Sequence, residues 1–94
     1  MEKWKVISRH PTYEVSNMGR VRNRKSGHIL ATNPTKSHPK PQVWLYCSLF
    51  RTTLQYNLAR VVFDTFTDNR TSKMIRYRDN NPMNCKLDNL YVKL

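Results

Sequence analysis

The side chains of this chain that are able to do chemistry do not assemble, by spacing, into a catalytic set. Cys47 and Cys85 stand far apart and form no Cys-x-x-Cys pair. His10, His28 and His38 do not complement them at the spacing of a zinc site. Both thiols are expected to be free, in a reducing compartment, with a disulfide as the alternative. Serine and histidine occur without an aspartate at a spacing that marks a nucleophilic triad. Only two glycines are present, too few for a Gly-rich phosphate loop. No metal site, cofactor or catalytic residue follows from these side chains.

What the chain has in quantity is positive charge. Its 94 residues carry 17 Lys and Arg against 6 Asp and Glu, a net charge of +11. From Val15 to Phe63 there is no acidic residue, while Arg20, Arg22, Arg24, Lys25, Lys36, Lys40, Arg51 and Arg60 fall inside that window. A surface without internal counter-charges attracts a polyanion. A soluble domain with nothing more than a high pI is the alternative. A membrane-surface role requires an amphipathic basic helix, and the cluster is not at helical spacing. No apolar run is long enough to span a bilayer and no signal-peptide pattern is present, so a cytoplasmic protein is expected. Nucleic acid, with DNA favoured, is the expected partner. The candidate contacts are Arg20, Arg22, Arg24, Lys25, Lys36, Lys40, Arg51, Arg76 and Arg78.

The elements that must position these charges are short. The length suits one domain with one small core. Trp4 to Ile7 reads as a strand, broken by Arg9-His10-Pro11-Thr12. Tyr13 to Val15 is extended, and Asn17-Met18-Gly19 is a turn in which glycine supplies positive φ. Val21 alternates with Arg20 and Arg22 as on a half-exposed strand. Such a strand projects Arg20, Arg22 and Arg24 from one face at about 7 Å intervals. That resembles the spacing of phosphates along a DNA strand; a solvated face is the alternative. His28 to Leu30 is expected to return as a strand. Pro34, Pro39 and Pro41 make residues 31–42 a loop. Val43 to Phe50 is the clearest strand, with Val43, Leu45, Cys47 and Leu49 facing the core. Its opposite face, Trp44, Tyr46, Ser48 and Phe50, is expected to be covered by the chain itself, with a base-stacking platform as the alternative. Asn57 is an N-cap for a helix whose Leu58, Ala59, Val62, Phe63 and Phe66 form one core stripe. Thr67 to Ser72 is a polar linker, and a final hairpin pairs residues 74–78 with 90–93.

Three segments carry a resemblance to a known family. The run Arg76-Tyr77-Arg78-Asp79-Asn80-Asn81-Pro82-Met83-Asn84, followed by Leu87-Asp88-Asn89-Leu90, resembles the core hairpin of phage HNH homing endonucleases. Trp4-Lys5-Val6-Ile7 with Tyr13-Glu14-Val15-Ser16-Asn17-Met18-Gly19-Arg20-Val21 is similar to the NUMOD-type DNA-binding motif that opens many of them. Residues 54–63 resemble the helix segment between, with Asn57 where the family prefers His. In that family an Asp binds one hard divalent cation and a His serves as general base. Arg76 and Tyr77 stand at those two positions. Arginine repels a cation, and a phenol with pKa near ~10 is a poor base at neutral pH. The third residue of the family comes from a helix after the second strand, and Leu94 falls about where that helix begins. Of the three degenerate positions Arg76, Tyr77 and Asn89, only Asn89 keeps the family's residue.

The resemblance implies an α+β fold: a small antiparallel β-sheet, one central helix and a C-terminal HNH-like β-hairpin. One domain is expected over 1–94, with the NUMOD-type sheet region in 1–55 and the helix and hairpin in 56–94. The expected function is nucleic-acid binding without cleavage, as a phage regulator derived from a homing endonuclease. The alternative is a small basic inhibitor of a host protein or nucleoprotein enzyme. On this reading the loop from Asp79 to Asp88 is kept as a structural clip, with Asn89 tying it to the hairpin.

Overall fold

The computed structural model describes residues 1–32, 40–67 and 74–92. Lys36, most of the proline loop and most of the polar linker lie outside the described residues. The architecture is α+β, with three small antiparallel sheets around one helix.

Strands β1 (Trp4–Ile7), β2 (His10–Ser16) and β3 (Val21–Asn23) form the first sheet in that order. Glu14 pairs across to Val6 on one side and Arg22 on the other. The expected break at Arg9–Thr12 is narrower than the sequence indicates, because β2 already begins at His10. Pro11 is tolerated there because it lies before the β2–β3 register starts at Tyr13, so no ladder N–H is needed from it. The expected strand His28–Leu30 is reduced to an isolated bridge between Arg22 and Ile29. It is held by Asn23 N–H to His28 (2.9 Å) and Leu30 N–H to Val21 (2.9 Å), too few bonds for a strand.

Strands β4 (Gln42–Cys47) and β5 (Thr52–Asn57) make a hairpin in full register from Gln42↔Asn57 to Cys47↔Thr52. β5 runs directly into helix α1 (Leu58–Thr67). Asn57 caps the helix as expected: its Oδ1 accepts the Arg60 N–H at 3.3 Å. The last hairpin pairs β6 (Ile75–Tyr77) with β7 (Leu90–Val92), entered through a 3-10 turn at Leu87–Asn89.

One core cluster draws on every sheet: Val15 and Val21 from the first, Val43 and Leu45 from the second, Ile75 and Leu90 from the third, with Leu58, Ala59 and Val62 of the helix. Val15, Val21, Val43, Leu45 and Val62 have no accessible surface, and burial of each such side chain stabilises by about 1.5–3 kcal/mol. Polar ties join the sheets. His10 Nε2 and the Tyr56 hydroxyl share a 2.6 Å hydrogen bond, and the Tyr46 N–H donates to the Tyr13 hydroxyl at 3.3 Å.

The β4 face pattern holds on one side only. Val43 and Leu45 are buried as expected, but Leu49 lies in the turn and is exposed. The aromatic face is open rather than covered: Trp44 is 54%, Tyr46 50% and Phe50 68% exposed. Val43 and Leu45 join the core cluster with Leu58, Ala59 and Val62 of the helix, whereas Trp44 and Tyr46 on the other side stay in solvent.

Candidate nucleic-acid interface and HNH-like hairpin

The turn after β2 is built by its own side chains. Ser16 Oγ accepts the N–H groups of Met18 and Arg20, both at 3.2 Å. Asn17 Oδ1 accepts the Lys3 N–H at 2.8 Å and its amide donates to the Met1 carbonyl at 3.3 Å, anchoring the N-terminal segment. Gly19 has φ +84°, and a Cβ there would stand 3.1 Å from the Cys85 carbonyl oxygen. The Leu87 N–H donates to the Asn17 carbonyl at 2.8 Å. The Ser-Asn-x-Gly turn is thus the seat on which the C-terminal loop rests.

The basic residues fall into separate groups. Arg22 stacks its guanidinium 3.9 Å from the Trp4 ring centroid, and Arg20 lies 5.6 Å from the same ring. Arg22 Nε donates to Glu14 at 2.6 Å, and Arg20 Nε to Glu2 at 2.8 Å. The Arg20 hydrogen bond holds the Glu2 carboxyl below its ordinary value, and the Glu2 partner raises Arg20. Arg60 pairs with Asp64 at 3.7 Å. The acid-free window of the sequence is therefore not free of counter-charge in space. Glu2, Glu14 and Asp64 reach in from outside it.

The expected row of Arg20, Arg22 and Arg24 also divides. β3 is too short to carry all three, so Arg24 turns away and donates to the Pro11 carbonyl at 2.8 Å. Arg24 and Lys25 line a shallow open hollow with Pro11 and Thr12. Lys40 stands exposed before β4, and Arg51 stands exposed in the β4–β5 turn with φ 53°. Sequence reasoning missed the anchors Glu2, Glu14 and Trp4. The signal for Glu14 was available: a hairpin centred on the Asn17–Gly19 turn puts it opposite Arg22.

The C-terminal hairpin places Arg76 exposed on β6 opposite Tyr91, and Tyr77 half-buried opposite Leu90. Burial first, and the neighbouring Cys85 second, push the Tyr77 phenol above its ordinary value. It therefore keeps its proton at neutral pH. Arg78 Nε donates to the Asp88 carbonyl at 3.1 Å, and its guanidinium lies 5.2 Å from the Tyr91 ring. Both cysteines are free thiols, and burial raises Cys85 to about 11.

The loop between these strands is a closed network. Asn89, buried, accepts the Asp79 N–H at 3.1 Å. Its amide donates to Asp79 Oδ1 and the Asn84 carbonyl, both at 2.9 Å. Asn84 Nδ2 donates to Asp79 Oδ2 at 2.9 Å, and the Asn81 N–H to Asp79 Oδ1 at 2.9 Å. The expected clip is present, with Asp79 at its centre. The Asn84 amide above all, then the Asn81 N–H and Asn89, hold the Asp79 carboxyl below its ordinary value. Both Asp79 oxygens are occupied by N–H donors, and Arg76 stands exposed as a cation nearby in sequence. Among the described residues no group of three or more His, Cys, Asp or Glu could hold a metal ion. The described residues of this hairpin do not fit a hard divalent cation, which needs several free oxygen ligands.

Three comparisons bear on these features. Residues 2–46 match the NUMOD4 motif. An uncharacterized HNH endonuclease of Acanthamoeba polyphaga mimivirus is 33% identical over 91 residues, covering 94% of this chain and 26% of that protein. The structure of the HNH homing endonuclease I-HmuI, described for its DNA binding and cleavage, superimposes with a TM-score of 0.78 at 26% identity. That match covers 94% of this chain and 50% of the other. The chain thus spans about a quarter of one relative and half of the other. Both relatives are endonucleases by name, which points toward nuclease activity and overturns the expectation that the chain is not an enzyme.

Proposed function

Since this chain is related to the HNH homing endonucleases, we propose that it binds duplex DNA as part of an HNH-type nuclease. One observation carries the reading: 94% of the chain superimposes on a homing endonuclease described for DNA binding and cleavage. The charge of +11 supports it. Lys25, Lys40, Arg51 and Arg76 are exposed cations suited to phosphate oxygens, and Arg24 and Arg78 each have donors left after one backbone bond. Arg20 and Arg22 act more as positioning groups. Each guanidinium has five N–H donors, so a Glu partner leaves others for a phosphate. Lys36 belongs to the same candidate set.

Phosphate contacts release counterions, so affinity must fall with salt. Contacts at about five phosphates give a slope near −4 to −5 in log affinity against log salt on B-DNA. Fluorescence anisotropy across salt concentrations reads this directly. Replacing Arg24 and Lys25 together by Ala should flatten the slope by about two. A slope near zero would overturn DNA binding through these residues.

On this reading neither Arg76 nor Tyr77 serves the reaction, since an arginine cannot ligate a cation and the Tyr77 phenol keeps its proton. In a plasmid-cleavage assay with the full-length protein and Mg²⁺, Tyr77→Phe should keep the rate within about threefold, since a group outside the reaction contributes little to the barrier. A loss of cleavage with DNA affinity intact would place Tyr77 in the chemistry after all.

A further inference from the structure

The open face of the β4–β5 hairpin presents aromatic rings rather than cations. Trp44, Tyr46 and Phe50 are large, flat and at least half exposed. Exposed aromatics of this size carry a solvation cost that a soluble protein rarely keeps without use. The face is also rigid. Trp44 and Tyr46 alternate with Val43 and Leu45, which have no accessible surface, and the Tyr46 N–H is held by the Tyr13 hydroxyl.

We infer that this face is a stacking platform for unpaired nucleobases, so that the chain binds single-stranded nucleic acid at a surface that shares Lys40 and Arg51 with its duplex contacts and adds aromatic rings to them. The inference rests on the DNA-binding reading above and extends it to a second substrate form.

Geometry and charge both point to a strand of nucleic acid as the occupant. Trp44 and Tyr46 are two residues apart on one strand, so they stand about 7 Å apart. That spacing suits an extended strand whose bases each lie on one of the two rings. Opposite them on β5 are Gln55 and Thr53, neutral side chains able to hydrogen-bond base edges. The surroundings are cationic. Residues 40–57 contain no acid. Lys40 flanks one end of the hairpin and Arg51 stands in its turn, and neither makes an ion pair among the described residues. Aromatic rings within a cationic border match a polyanion with exposed bases.

The test compares a twelve-nucleotide oligo-dT strand with a duplex of the same length, against wild type, Trp44→Ala, Tyr46→Ala and Trp44→Phe. Each ring is also half buried, so the alanine variants should melt somewhat below wild type, and affinity is read on the folded protein below that transition. Trp44→Ala should lose about tenfold to a hundredfold in affinity for oligo-dT, and Tyr46→Ala somewhat less. Duplex affinity should change by less than about threefold, and Trp44→Phe should restore most of the oligo-dT binding. Equal losses on both substrates, or none on oligo-dT, overturn the platform while leaving duplex binding standing. If sedimentation shows wild type self-associating and Trp44→Ala monomeric, with oligo-dT binding unchanged, the face docks protein and the inference is wrong. Failure of wild type to bind the duplex would instead sink the reading on which the platform rests.

Discussion

Two regions of this molecule use their carboxylates in opposite ways. In the first sheet, Glu2 and Glu14 each face an arginine, and a tryptophan ring lies beside both guanidiniums. In the C-terminal loop, Asp79 faces only neutral amides and backbone N–H groups. The first arrangement aims positive charge; the second shapes backbone. At Glu2 the arginine is exposed, so water and salt screen the pair and it contributes little to stability, while the Glu14–Arg22 pair is part-buried and only partly screened. The exposed Asp79 carboxylate matters more through Asn89, which is buried, because removing the carboxylate leaves the Asn89 amide without one of its partners. Mutation should therefore separate the two regions: stability should respond at the loop, and DNA affinity at the sheet.

The largest effect is expected at Asn89. It makes one acceptor and two donor bonds to Asp79 and Asn84 from a buried position. Asn89→Ala should cost about 1–3 kcal/mol, read as a fall in melting temperature. DNA affinity of the folded fraction should not change. If the melting temperature held and binding vanished, the loop would belong to the functional surface and the contrast would collapse.

A smaller effect concerns pH. The folded-state carboxyl of Asp79 lies below its ordinary value of 3.8, so the folded state prefers the ionised form. The stability this gives is present above about pH 4 and is lost as pH falls through the lowered value. Glu2 behaves likewise, through Arg20. Asp79→Asn should weaken the fold at neutral pH and flatten the acid limb of a stability–pH curve. An unchanged acid limb would show that the loop does not depend on the charge.

The smallest stability effect is expected at Glu14. Glu14→Gln removes the charge opposing Arg22 while keeping a hydrogen-bonding side chain. Stability should change by less than about 1 kcal/mol. The salt slope of DNA binding should steepen by about one as Arg22 becomes available to a phosphate. A marked fall in stability with no change in slope would make Arg22 structural and reverse the comparison.

Much of the local structure was legible. Asn57 as a cap, Gly19 at positive φ, the inward face of β4 and the Leu58–Val62 stripe all follow from residue type and short-range period. The clip was legible too, since Asp and Asn at such spacing in a polar loop bond to their own backbone. The arginine row was misread. Its spacing was measured along a strand longer than the three residues β3 provides, and its counter-charges were sought inside one window of sequence. The aromatic face was misread for a related reason: alternation separates two faces but does not say which of them gets a cover.

The sequence by itself therefore determined the turns, the cap, the alternation of β4 and the hydrogen-bonding types of the loop. Each depends on residues a few positions apart, where backbone geometry leaves few choices. Only the tertiary structure decided that Glu2 and Glu14 meet Arg20 and Arg22, that Gly19 seats the loop at Cys85, and that Trp44 and Tyr46 stay in solvent. Those outcomes depend on where one helix and three small sheets come to rest. Burial of Val43 and Leu45 in the shared core left Trp44 and Tyr46 on the solvent side of the same strand.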